Sequence, residues 1–213
     1  MYCHPAFRID AEEALPILRE RAFGLFVVPT SETPFGVHVP FLTDLGADGR
    51  LRIEFHVARV NPIHAHVADG APALLACQGP DAYISPDWYG VDDQVPTWTY
   101  VAVHVKGRAR LMPRDETLDH VDRLSAWFEQ RLFPKPPWTS AKMTARKRAA
   151  MLSAIVPIRL EVDSVDAQKK LIQHKGQTEH EGAIAGLRSG GDADAHAIAG
   201  LMEETVEAKF HRR

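Results

Sequence analysis

The stretch that decides the fold is TYVAVHVKGRARL, residues 99–111. Val101, Val103, Val105, Ala109 and Leu111 alternate with Tyr100, Ala102, His104, Lys106, Arg108 and Arg110. Side chains two apart share one face of a β-strand. This period therefore gives one face to a core and the other to water, a ligand or a partner. It is the longest strand that the sequence predicts. On its N-terminal side stands ISPDWYGVDDQVPTW, residues 84–98, where Trp88, Tyr89 and Trp98 flank an acidic loop. Such an aromatic hairpin raises the question of what it holds.

Shorter elements surround this strand. Asp10 caps a first helix, with Glu13 completing a capping box and Leu15, Leu18 and Ala22 along one face. Residues 23–28 read as a buried strand. Residues 35–44 read as a second one, in which Pro40 marks an edge or a bulge. The turn GADGR, 46–50, leads into a strand over 51–57. A short helix follows from Pro62 to Val67, then strands over 73–78 and 82–85. After the long strand, Leu118, Val121, Leu124 and Phe128 form the stripe of a helix over 114–132. A rigid connector, FPKPPW, precedes a helix over 141–152 and a strand over 154–162. Residues 186–196 read as a flexible linker, and Asp194–Lys209 as an amphipathic helix through Ile198, Leu201, Met202 and Val206. The fold class is mainly β with peripheral helices (α+β): about six or seven mostly antiparallel strands, closed or nearly closed, with helices outside.

Composition narrows the function. The 213 residues carry a net charge of −3, which argues against coating nucleic acid by bulk charge. Cys3 and Cys77 form no CxxC pair, so zinc ribbons and redox motifs are excluded and a reducing cytoplasm is expected. The N-terminus has no basic start followed by an apolar run, and no stretch approaches the roughly 20 apolar residues of a membrane span. No signal peptide and no membrane partner are expected.

The chemistry-bearing residues are few. His64 and His66 are two apart, but Pro62 starts a helix there and would point the rings apart; no metal site is expected. Ser31 and Ser85 lack a nucleophile elbow, and no glycine-rich phosphate loop follows a strand. HVARVNP, 56–62, lies at a strand end. Arg59 could bind a phosphate there, with His56 and Asn61 as hydrogen-bond donors; spacing alone favours an exposed strand end with an Asn-Pro turn. DAQKKLIQHK, 166–175, offers Lys169, Lys170, Gln173 and Lys175 as anion contacts or as a solvated basic segment. Arg146, Lys147 and Arg148 read as the wet face of a helix.

Several blocks in order resemble one family, the PaiB-like, FMN-binding negative transcriptional regulators. They are MYCHPAFRID, PFGVHVPFLTD, HVARVNP, GPDAYISPDWY, VPTWTYVAVHVKGR and KKLIQHK, and the resemblance extends over residues 1–188. It implies a split β-barrel of the FMN-binding, pyridoxamine-phosphate-oxidase-like type over 1–188. Residues 189–213 then form the linker and C-terminal helix. It also implies a homodimer with FMN at the subunit interface. Carried onto this chain, the cofactor-binding residues are His56, Val57, Ala58, Arg59, Asn61, Trp98, Lys170 and Gln173. Arg59 and Lys170 are expected to converge on the phosphate. Phe55 stands where the family has Gly, and Ile172 and His174 stand where it has Ser and Asn. A Phe beside the cofactor would stack on it or block it, and losing a hydroxyl and an amide would weaken a phosphate contact.

The function implied is a dimeric FMN-binding protein and a negative regulator of transcription. DNA is a weakly supported partner: no helix-turn-helix pattern stands out and the charge is acidic. The alternatives are a flavin-dependent oxidoreductase of a small substrate and a haem-handling split barrel.

Overall fold

The structure is a computed structural model and describes residues 1–46, 48–67 and 70–211. The chain divides into two compact units. A terminal unit comprises Met1–Ile17, Gln78–Val103 and Asp166–Arg213; a central unit comprises Leu18–Cys77 and His104–Val165.

The strands are β1 (Arg8–Ile9), β2 (Phe23–Val28), β3 (Phe35–Pro40), β4 (Leu42–Leu45), β5 (Leu51–Ala58), β6 (Ala71–Ile84), β7 (Thr97–Leu111) and β8 (Ile155–Lys170). They form one sheet in the order β3–β2–β6–β7–β8–β5–β4, and β1 pairs with β8. Every described register is antiparallel. The helices are α1 (Ala11–Arg21), α2 (Ile63–His66), α3 (Thr117–Glu129), α4 (Ala145–Ser153), α5 (Gln177–Arg188) and α6 (Ala193–Val206). No described helix is long and apolar enough to cross a membrane.

The alternation in β7 holds: Val101, Val103, Val105 and Ala109 are buried. Leu111 departs from it and is exposed, because Met112 takes the last core position and its N–H bonds the Pro157 carbonyl at 3.0 Å. Gly107 has no side chain for a steric reason. A Cβ there would lie 1.9 Å from the Glu161 carbonyl oxygen of β8.

Several elements differ from expectation. The strand expected over 35–44 breaks at Phe41, whose side chain enters the core, so β3 pairs with β2 and β4 pairs with β5. In the turn 46–50, Ala47 lies outside the described residues; Gly49 there adopts φ 76° and bonds the Gly46 carbonyl. The two strands expected at 73–78 and 82–85 are one strand, β6. Its described pairing with β2 ends at Ala76, so Pro80 sits beyond that ladder, where a missing N–H costs no described bond. The helix expected over 141–152 begins only at Ala145, where the Thr144 hydroxyl caps it by accepting from the Lys147 N–H. β8 runs to Lys170, well beyond 162, so Lys169 and Lys170 belong to the strand. The buried stripe of α3 is Thr117, His120 and Leu124, while Leu118 is exposed.

In the central unit, Leu18, Phe26, Phe41, Ile53, Phe55, Leu75, Ile158 and Leu160 are fully buried. In the terminal unit, Ile84, Tyr89, Leu171, Ile172, Ala183, Leu187, Ile198, Ala199 and Met202 form one apolar cluster. The helix α5, which the sequence pattern did not reveal, lies at its centre. Gly182 on α5 permits the close approach of the Trp88 turn, because a Cβ there would stand 1.9 Å from the Trp88 carbonyl oxygen. Most of the expected linker 186–196 is helix; only 189–192 joins α5 to α6, which the Asp192 carboxylate caps.

Candidate functional site

β5 has two faces. Ile53, Phe55 and Val57 point into the core, and Phe55 packs on Phe26 with ring centroids 4.6 Å apart. Phe55 therefore lies on the face opposite His56, where it neither stacks on a ligand beside His56 nor blocks one. Glu54 and His56 share the other face, where α3 brings His120 and Arg123 against them.

The end of β5 runs past the described β4 ladder, with β3 close by. The β4 register stops at Leu42 opposite Glu54, whereas the β8 register continues to Ile155 opposite Ala58. Residues 55–58 thus extend past β4. The phase of the ladder shows which backbone groups face away from β8. The Arg59 N–H bonds the Ala154 carbonyl at 2.7 Å, and Pro157, opposite His56, has no N–H and gives its carbonyl to Met112. By alternation, the N–H and C=O of His56 and Ala58 point away from β8, and the Ala58 carbonyl accepts from the Asn61 N–H at 2.8 Å.

Around this strand end lies a polar network. Glu54 is 2% exposed. Its carboxylate accepts from Arg123 Nη2 at 2.5 Å and from Arg159 Nε at 2.8 Å. Arg159 also bonds Glu116 at 2.7 Å, and Arg123 bonds Asp119 at 2.7 Å. Burial pushes the Glu54 carboxyl up, but His120, Arg123 and Arg159 together hold it down at about 2. His120, fully buried, places Nδ1 3.9 Å from Glu54 Oε2, beyond hydrogen-bond distance, and its Nε2 3.1 Å from His56 Nδ1. Burial, and then the neighbouring His120, lower the His56 pKa to about 4, so His56 is neutral at pH 7.

Arg59 is anchored along one side. Its Nε donates to the Ser153 carbonyl at 2.6 Å and its Nη2 to the Ile155 carbonyl at 2.8 Å. Among the described residues Nη1 has no partner, and the residue is exposed. The Asn61 carboxamide oxygen accepts from the Ile63 N–H at 3.0 Å and so fixes the entry to α2. Val57 is a core residue, and Ala58 is exposed.

The other three expected residues belong to the terminal unit. The Trp98 indole N–H donates to Asp81 at 2.8 Å, and its ring lines a groove of about 430 Å³ with Tyr83, Trp88, Asp192 and Asp194. The Lys170 ammonium donates to the Thr97 hydroxyl at 3.0 Å. Gln173 closes a turn on itself, accepting from the Leu171 N–H at 2.8 Å and donating to the Lys169 carbonyl. That turn holds Ile172 at φ 55° with its side chain in the apolar cluster. The Ser-to-Ile departure therefore points into a core and removes no donor from a solvent-facing phosphate contact. His174 is exposed, with its ring 5.9 Å from that of Phe7.

The sequence reading missed Glu54, His120, Arg123 and Arg159. The i, i+3, i+7 spacing of Thr117, His120 and Leu124 was the available signal for His120. Nothing in the spacing ties Arg159 to Glu54, because register alone brings them together.

Residues 1–164 match the family described as "Putative FMN-binding domain". The chain belongs to this family. The FMN-binding match includes His56–Asn61 and Trp98 and stops short of Lys170 and Gln173. Over 211 residues the chain is 29% identical to "Protease synthase and sporulation protein PAI 2" of Bacillus subtilis, covering 99% of this chain and 100% of that one. It is 30% identical over 126 residues to the uncharacterized protein YKL070W of Saccharomyces cerevisiae, covering 55% of this chain and 74% of that one. Two solved structures share the fold. The FAD and haem binding protein from Mycobacterium smegmatis has a TM-score of 0.53 at 16% identity, over 76% of this chain and 71% of that one. The flavocytochrome Anf3 from Azotobacter vinelandii has a TM-score of 0.54 at 14% identity, over 77% and 69%. The fold is thus the flavin-binding split β-barrel, and the cofactor of this FMN-binding family is a flavin. The end of β5 fits such a group. An anchored guanidinium with one free edge suits a phosphate, and the His56 backbone groups, which point away from β8, suit a polar ring edge.

Proposed function

We propose that the protein binds FMN at the end of β5, as a homodimer, and acts as a PaiB-like negative regulator of gene expression. The observation that carries the reading is the anchored Arg59, with Nη1 left for a ligand among the described residues, at the strand end His56–Ala58 that runs past the β4 ladder, inside the segment that matches the FMN-binding family. Arg59 would hold the phosphate through Nη1, since the carbonyls of Ser153 and Ile155 fix its plane. His56 would offer its backbone N–H and C=O to the ring system, and Ala58 its N–H. Bound flavin supplies one- and two-electron chemistry; the chain supplies position and field. Trp98, Lys170 and Gln173 have partners within the terminal unit, so their share in holding the cofactor is smaller in this reading.

The regulatory role draws on the likeness to PAI 2 and the PaiB-like motifs. A net charge of −3 favours an indirect effect over direct DNA contact. The test is a titration with FMN followed by flavin fluorescence. Wild type should bind, and Arg59→Ala should bind about 10-fold more weakly, the loss of roughly one charge-assisted hydrogen bond. Unchanged affinity in Arg59→Ala would remove the assignment. Light scattering across dilution tests the dimer.

A further inference from the structure

We infer that His120 is a positioning residue: held by the field of Glu54, it fixes His56 as the Nδ1–H tautomer and presents the His56 Nε2 lone pair as a hydrogen-bond acceptor at the flavin site. The functional half of this inference rests on the reading of β5 as the flavin-binding strand. The tautomer itself does not.

His56 Nδ1 and His120 Nε2 are 3.1 Å apart, so one of them donates and the other accepts. His120 is fully buried and its Nδ1 has no hydrogen-bond partner, so no described group dictates its state by direct contact. The nearest charge is the Glu54 carboxylate, with Oε2 at 3.9 Å. A proton on His120 Nε2 would leave the Nδ1 lone pair facing this anion at low dielectric, which is repulsive. A proton on Nδ1 turns the N–H dipole toward the anion, which is attractive. A neutral His120 is therefore Nδ1–H with Nε2 as the acceptor, and His56 then donates from Nδ1. A neutral His56 then carries its lone pair on Nε2.

The surroundings keep Glu54 anionic and His56 neutral. Arg123 from α3 and Arg159 from β8 bind Glu54, and Asp119 and Glu116 balance the two guanidiniums from outside. Burial of His56 disfavours a second proton. A bare imidazole nitrogen accepts from N–H groups and repels carbonyl oxygens. At a flavin it would recognise the N–H donors of the ring system and would avoid their flanking oxygens.

The experiment is nitrogen-15 NMR of histidine-labelled full-length protein at pH 7, with no flavin added. His56 should show a protonated Nδ1 and an unprotonated Nε2, and His120 the same pattern. An Nε2–H tautomer at His56, or a fast mixture of the two, overturns the inference, and this reading needs no variant to fold. Two variants then test the role of His120. His120→Gln keeps an acceptor oxygen for His56 and should retain the tautomer and FMN affinity. His120→Leu should give mixed tautomers and about 3- to 10-fold weaker FMN binding. A His120→Leu protein with wild-type tautomers or wild-type affinity would also overturn it. The two readings fail in distinguishable ways. If Arg59→Ala leaves FMN binding unchanged, the flavin site is not at β5. If Arg59→Ala weakens binding and the His56 tautomers are mixed, the site stands and the role of His120 falls.

Discussion

Both units bury titratable groups, but they treat them differently. In the central unit, Glu54 has two guanidiniums on its carboxylate, and His56 and His120 hold each other. In the terminal unit, His180 is fully buried on α5; among the described residues neither ring nitrogen is in hydrogen-bond geometry, although the Ile172 carbonyl favours its proton, and the buried Tyr89 hydroxyl has no partner. Their neighbours are apolar rings and a cation: Phe210 lies edge-on to His180, and the Lys175 ammonium sits 4.7 Å over the Tyr89 ring. A paired network fixes orientations and tautomers, which a binding site needs. Unpaired buried groups fix nothing and cost stability when they must ionise. On the proposed reading, the central network positions the ligand and the terminal cluster is scaffold.

The largest effect should come from breaking the paired network. Glu54→Ala leaves Arg123 and Arg159 without their buried anion and removes the field that orients His120. A loss of about 3 kcal/mol is expected, as for other buried pairs that lose one partner. Urea unfolding measures this loss, and the NMR experiment above should show mixed His56 tautomers in the same variant. A neutral stability effect would mean that the network is solvated in solution.

A truncation in the scaffold should be similar or slightly smaller in energy and silent in function. Met202 is fully buried among Leu171, Ile172 and Ile198 in the terminal cluster. Met202→Ala should cost about 2–3 kcal/mol through lost burial and a cavity. The His56 tautomer and FMN affinity should stay at wild-type values. A changed tautomer would show that the two regions are coupled, and the contrast drawn above would break.

The pH dependence should separate the units next. Burial, then Lys209, lowers the His180 pKa, so the folded protein keeps it neutral while the unfolded chain takes up a proton below about 6.5. The stabilising contribution is therefore present above pH 6.5 and is lost as pH falls toward the lowered folded value. His56 behaves in the same way between 6.5 and about 4. Glu54 acts in a lower window: its contribution is present above 4.5 and is lost as pH falls through about 2. Where only the unfolded chain is protonated, the His180 slope approaches about 1.4 kcal/mol per pH unit. His180→Leu should flatten that part of a thermal-unfolding pH series and leave the limb below pH 4 in place. A wild-type slope in this variant would assign the effect elsewhere.

Much of this arrangement was legible in the sequence. The two-residue period of β7 announced the sheet, and Asp10, Thr144 and Asp192 behave as caps because capping is local chemistry. HVARVNP marked the strand end where the flavin is proposed, but its spacing could not show that the β4 register stops at Leu42, opposite Glu54. Two separate strands are expected at 73–78 and 82–85, and the sheet runs them together as β6. His120 was hidden because its helix stripe mixes Thr117 and Leu124 with an imidazole, and a stripe sought among apolar residues alone runs along the wrong face. Glu54 and Arg159 are 105 residues apart and meet only through register.

The smallest effect should come from the residue that looked most like a ligand platform. Trp98 is 51% exposed, and its ring faces a groove in the terminal unit. The groove is lined by Asp81, Asp192 and Asp194, with no lysine, arginine or histidine among its lining residues. A phosphate monoester carries close to two negative charges at pH 7, so three carboxylates repel that end of FMN. The indole N–H is already committed to Asp81, whose second oxygen accepts from Gln78 at 2.6 Å. Lys170 is closer to neutral ground, with one N–H on Thr97 and its ammonium 6.0 Å from the centre of the Tyr100 ring. Trp98→Ala and Lys170→Ala should therefore each change FMN affinity by no more than about 2-fold, against the roughly 10-fold expected for Arg59→Ala. The same fluorescence titration, run on all three variants at one salt concentration, ranks them. A Trp98→Ala protein weaker than Arg59→Ala would move the flavin to the aromatic groove and reverse the roles assigned to the two units.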